Sequence, residues 1–166
     1  PGLLGAAGWL VVAVAHRGFV AGRSLLIDHL GMVAFIVFFL ARGWEEMNDR
    51  VLGGWRVERV VGVATTLCAI AGFLFAPVAT PLLAVSLLGW MVIPAFGLLY
   101  TGVVLPEGTK IYVASGTLSI VGPIIYLLSF LLGVDLVAIR GIGVTGIGQT
   151  LVIADAVLRY SLTFRF

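Results

Sequence analysis

Charge is scarce in this chain of 166 residues: only 11% are Asp, Glu, Lys or Arg, against 61% that are hydrophobic. Soluble domains carry about a quarter charged residues, so a water-soluble fold is excluded. The mean hydropathy of +1.17 points the same way. A disordered chain is excluded too, because it needs many charged and few apolar side chains. Cysteine is limited to Cys68, which rules out a disulfide scaffold within the chain. His16 and His29 together with Cys68 do not make three or four zinc ligands at a recognisable spacing. The net charge of +2 is spread thinly, without the concentrated basic face that nucleic-acid readers carry, so no nucleic-acid partner is expected.

What fills the chain instead is long uncharged runs. A helix needs about 20 apolar residues to cross the hydrocarbon core. Six candidate spans follow, at roughly Gly2 to Ala15, Leu25 to Ala41, Val60 to Ala76, Leu82 to Leu105, Ile111 to Val134 and Ile142 to Leu158. The first is short. The chain opens on Pro1 rather than Met, which leaves room for further N-terminal residues, and no basic stretch precedes the first run as it would in a signal peptide. Short connections, with a tight turn expected over Pro77 to Pro81, predict one all-α polytopic transmembrane bundle spanning 1–166 as a single integral membrane domain.

Positive charge resists translocation and so reports orientation. With six spans, Arg42, Arg50, Arg56, Arg59, Lys110, Arg159 and Arg165 fall on one side, and Arg17, Arg23 and Arg140 on the other. That bias predicts a multi-pass protein of the cytoplasmic membrane, in contact with its lipids, with both termini cytoplasmic. Between the second and third spans lies the longest polar stretch, Arg42 to Arg59. Trp44, Met47 and Val51 recur at helical spacing, and Glu46 precedes Arg50 by four residues. A short amphipathic interfacial helix over about 43–53 is expected there, ended by Gly53 and Gly54, as a solvated connector or as a lipid-sensing or partner-docking element.

Small residues at Ala64, Cys68, Gly72 and Ala76 form a four-residue ladder on the third span, a packing strip within the bundle or between copies of the chain. Gly18 and Gly22 make a GxxxG, a weak signal in a chain with 22 glycines. Gly141, Gly143 and Gly146 match GxGxxG, but no strand or following acidic residue accompanies them, so close helix packing explains them better than a dinucleotide site. Pro94 and Pro123 fall near mid-span and predict bends. Beside them Ser115, Ser119, Gly122 and Tyr126 share nearly one face, which raises a partly polar pocket between the fourth and fifth spans.

Ionisable groups at membrane depth are the sharpest clue, because each costs several kcal/mol unless paired or wet. Asp155 and Arg159 stand four apart near the end of the last span, on a stripe running back through Val152, Gly148 and Thr145. They fit either an ion pair or, with Thr145 and Gln149, a ligand site. Gln149 lies off that stripe and can reach a neighbouring helix. Near the opposite face, His16, Arg17, Arg23, Asp28, His29, Asp135 and Arg140 gather into a possible vestibule in which Asp28 and His29 are the binding candidates. Snorkelling to the interface is their ordinary alternative.

Catalysis finds little support. Asp28 and Asp155 lie near opposite faces and cannot share a proton, and Ser115 has no histidine placed to activate it. No cofactor is expected; the one weighed is haem, ligated by His16 and His29. Two functions follow. One is a small transport-type or ligand-binding membrane protein using Asp155, Arg159, Thr145 and Gln149 on one side and Asp28 and His29 on the other. The other is a noncatalytic structural or accessory subunit, in a homo-oligomer or a larger membrane complex.

Overall fold

The computed structural model describes the backbone of residues 2–105 and 109–163, and the side-chain surroundings of residues 6–105 and 109–158. Among these residues the chain forms helices and turns only. Six α-helices follow one another: α1 (Gly2–His16), α2 (Gly22–Arg42), α3 (Arg50–Leu74), α4 (Ala79–Val104), α5 (Thr109–Leu132) and α6 (Asp135–Thr163). A single 3-10 turn at Ala76–Val78 joins α3 to α4 where the Pro77 to Pro81 hairpin is expected. Five helices are long and apolar enough to cross a membrane, and α1, with 15 residues, is shorter. At 1.5 Å per residue α1 rises about 22 Å, against a hydrocarbon core of about 30 Å. The chain is therefore a multi-pass helical membrane protein. The last helix starts earlier than its apolar run, at Asp135, so Asp135 and Arg140 lie in its first turns rather than in a loop.

The helices neighbour one another in the order α2, α3, α4, α5, α6, α1, with α4 also touching α6. Although α1 and α2 are consecutive, α1 packs on α6 and α2 on α3. Residues 17–21 connect them, turning at Gly18, whose φ of 77° suits only a residue without a Cβ. Gly18 and Gly22 have no side chain or backbone near enough to be a packing pair. The core joins Met91 of α4, Tyr126 of α5, and Ala138 and Ile142 of α6, with Trp9, Val12 and Ala13 of α1 laid against them. By contrast α2 buries no residue and is peripheral.

Two helix pairs hold the bundle together by close backbone approach. Between α5 and α6, a Cβ at Gly141 would lie 2.6 Å from the Tyr126 nitrogen and 2.7 Å from the Gly122 carbonyl oxygen. One at Gly122 would collide with Thr145 Oγ1, and one at Gly148 would meet Ser119 Oγ at 2.5 Å. In lipid, where apolar burial does not drive helices together, such contact surfaces supply the adhesion. Between α3 and α4 the buried face of α3 is Gly62, Thr66, Ala69 and Gly72. Within the bundle the ladder expected from Ala64, Cys68, Gly72 and Ala76 is thus not the packing strip: Ala64 and Ala76 are exposed, Cys68 is half-buried and only Gly72 is buried. A strict four-residue step drifts around a helix of 3.6 residues per turn, whereas steps of four, three and three stay on the face that meets α4.

The interfacial helix expected over 43–53 is also corrected. Residues 43–49 form turns, and α3 already begins at Arg50 and runs on through Gly53 and Gly54. Asp49 sets that start, its Oδ1 accepting from the backbone nitrogens of Val51 at 2.8 Å and Leu52 at 2.7 Å. Gly54 stays helical because it is pressed against the ring of Tyr100, 3.0 Å from where a Cβ would be. The connector is tied down by buried Met47 and by Arg56, whose guanidinium lies 4.7 Å from the ring centre of Trp44.

Candidate functional site

Proline lacks an N–H, so Pro94 leaves the carbonyl of Trp90, one turn earlier in α4, without its helical donor. Gln149 of α6 fills that gap. Its Nε2 donates to the Trp90 oxygen at 3.1 Å and lies 3.4 Å from the Met91 oxygen. Its Oε1 accepts from the indole Nε1 of Trp9 in α1 at 3.3 Å. The Trp90 indole in turn donates to Thr66 Oγ1 at 3.0 Å, and Thr66 donates to the Gly62 carbonyl at 2.7 Å. One chain of hydrogen bonds thus runs from α1 through α6 and α4 to α3. A half-buried amide with both ends engaged thus ties α1 and α6 to α4 at the turn before Pro94.

Beyond Pro94, α4 covers a carboxyl of α3. Glu58 lies eight residues after Arg50 in α3, about 12 Å along the axis at 1.5 Å per residue. A Cβ on Gly97 would sit 3.0 Å from Glu58 Oε2 and 3.8 Å from the Trp55 ring, so α4 passes close over this group at a residue without a side chain. Among the described residues Glu58 Oε2 is shielded from solvent and has no hydrogen-bond partner. The adjacent Arg59 turns to the Met47 sulfur, 3.8 Å from its guanidinium. Past Gly97, α4 is tied to α3 by Trp55 Nε1 donating to Thr101 Oγ1 at 3.1 Å and by the Tyr100 hydroxyl donating to the Arg50 carbonyl at 3.0 Å. Glu58 was not among the residues singled out from the sequence, where it reads as one more charge beside Arg56 and Arg59. Its signal is the spacing Gly54, Glu58, Gly62, which sets a carboxyl between two glycines on one helix face.

The residues expected to bind ligands are dispersed. Thr145 is fully buried against Gly122 of α5, its hydroxyl without a partner. Gln149 faces α1 and α4 instead, so the two do not form one site. Asp155 is half-buried and partnered. The side chain of Arg159, and with it the expected Asp155 to Arg159 pair, lies outside the described residues. Near the other face Asp28 and Arg23 are exposed, and His29 sets Nδ1 2.7 Å from the Leu25 carbonyl and its ring against Phe73 of α3. His16 lies against Tyr126 of α5 at 5.6 Å between ring centres. Each histidine is engaged by a different helix, which is not the arrangement of two ligands on one haem.

The expected polar pocket between α4 and α5 is closed. Ser115, Ser119, Gly122 and Tyr126 are all buried, and Ser119 and Gly122 pack against Gly148, Gly141 and Thr145 of α6. A cavity of about 380 Å³ does lie between α1 and α6, beside Trp9, Ala13, Gly143, Gly146 and Thr150, and its walls are almost wholly apolar. Among the described residues no group of three or more His, Cys, Asp and Glu is placed to hold a metal ion. Comparison with protein-family models, with curated proteins and with solved structures finds no match to this chain.

Proposed function

We propose that this multi-pass membrane protein is of the transport or ligand-binding type and takes up a small cation, the proton included, at the carboxyl of Glu58. The observation that carries this is an oxygen of Glu58 shielded from solvent and without a donor, inside a helix long enough to cross the membrane. An ionisable side chain at membrane depth costs about 2.5–3.5 kcal/mol by insertion scales, and those that persist mark ion pathways and proton relays. The carboxyl is the one acidic side chain on the face of α3 that packs against α4, where a moving helix can cover and uncover it. We further propose the cytoplasmic membrane with both chain ends cytoplasmic, from the seven-to-three bias of positive residues. Glu58 then lies in the cytoplasmic third of the span. The test is flux into liposomes loaded with a proton-, sodium- or potassium-sensitive dye, each under the matching imposed gradient. Wild type conducts and Glu58→Gln does not; equal flux in the two, or none in wild type, overturns the proposal.

A second function is supported by a different observation. Polar side chains within the bundle bond across helices, as Gln149 and Thr66 do, while α2 buries nothing and carries exposed Phe35, Phe38 and Phe39. That is how a noncatalytic subunit of a homo-oligomer or larger complex is built. Native mass spectrometry of the gently solubilised protein separates the two: an oligomer from a chain without cation flux supports the subunit.

A further inference from the structure

Glu58 is covered by a part of α4 that is held by Gln149, on the carbonyl that Pro94 leaves open, and by three bonds with α3: Trp90 on Thr66, Trp55 on Thr101 and Tyr100 on Arg50. Gly97 lies between them, three residues past the proline, and it is the residue that closes on Glu58 Oε2. We infer that Gln149 is a positioning residue for the Glu58 site: its amide latches α4 at the carbonyl that Pro94 leaves open, and through that turn it holds Gly97 as a lid over the carboxyl. This rests on Glu58 being the cation site proposed above.

The chemistry of the latch is specific to proline. With any other residue at position 94, the Trp90 carbonyl receives its ordinary N–H from within α4, and an outside amide has nothing left to supply. With Pro94 in place, Gln149 is the donor that satisfies that oxygen, and Trp9 orients it from the far side by occupying Oε1. Loss of the amide leaves an oxygen in apolar surroundings that can recover a partner only if α4 shifts. Such a shift carries Gly97 with it, at a place where a Cβ would already stand 3.0 Å from Glu58 Oε2.

The test reads access to Glu58 directly, without flux. The reconstituted full chain is treated with a water-soluble carbodiimide and glycine ethyl ester, which replaces the carboxyl hydroxyl by an amide as the carbodiimide leaves as its urea. The rate of modification at Glu58 is followed by peptide mass spectrometry. Gln149→Leu is expected to raise that rate several-fold over wild type, and Trp9→Phe, which removes only the orienting bond, to raise it less. In a Pro94→Ala background, Gln149→Leu is expected to change the rate little. An unchanged rate in Gln149→Leu, or an equal rise with and without Pro94, overturns the latch. Because Gln149→Leu can disturb packing generally, modification of exposed Glu45 in the same samples serves as the internal control; a rise at both sites equally also overturns it. Failure of the cation site itself is read separately, as flux that survives Glu58→Gln.

Discussion

Gln149 donates its amide hydrogen to the Trp90 carbonyl oxygen, at 3.1 Å, and that is the oxygen Pro94 deprives of its partner in α4. An acceptor that the proline would otherwise leave bare inside the membrane is thereby satisfied by a side chain from another helix. The two residues are 59 positions apart in sequence, counted from Trp90 to Gln149.

Removing that amide should cost stability only while the proline is present. Hydrogen bonds between membrane helices average about 0.6 kcal/mol and reach about 1.7 kcal/mol. Gln149→Leu is expected to lower unfolding stability by about 1 kcal/mol, and by much less in a Pro94→Ala chain. Equilibrium unfolding in bicelles, carried through the double-mutant cycle, measures the difference.

The glycines of α6 should divide sharply by the space around them. At Gly141 and Gly148 an added methyl meets backbone and a hydroxyl of α5 within 3 Å, so alanine there should destabilise the bundle by about 1–3 kcal/mol. At Gly143 nothing lies within 4 Å, and alanine should stabilise the helix by roughly 0.5–1 kcal/mol. Thermal unfolding of the three single variants in detergent checks both signs.

Orientation can be read with single cysteines in a Cys68→Ser chain. With the positively charged side inward, a cysteine at Asn48, between α2 and α3, should resist a membrane-impermeant maleimide in intact cells and react once the membrane is opened. One at Gly18, between α1 and α2, should react in both. The reverse pattern would place the termini outside.

The helices and their number were legible because apolar runs and their polar borders are local properties of the chain. Packing faces were less so. On α3 the ladder through Ala64 and Cys68 competes with Gly62, Thr66, Ala69 and Gly72, and only the position of α4 chooses between them. The start of α3 was misplaced because Gly53 and Gly54 read as a helix end. In the folded chain, Asp49 caps the helix upstream and Tyr100 fills the space at Gly54. The bends at Pro94 and Pro123 can be foreseen, and a reach of Gln149 to a neighbouring helix can too, but that Gln149 answers Pro94 depends on how α6 is rotated. Glu58 was masked by its company: beside Arg56 and Arg59 it looks like an interfacial charge, and only the closure of Gly97 makes it a shielded carboxyl.

The most direct test of cation binding at Glu58 is dicyclohexylcarbodiimide modification, since this apolar reagent selects carboxyls in membrane surroundings. Reconstituted wild-type protein is expected to carry one adduct, mapped to Glu58 by peptide mass spectrometry; its formation should slow as sodium or potassium is raised if that ion is the one bound, and should quicken with acid, since the reagent adds to the protonated carboxyl. Adducts only at other carboxyls, or labelling of Glu58 that neither sodium, potassium nor pH alters, would contradict a cation site there.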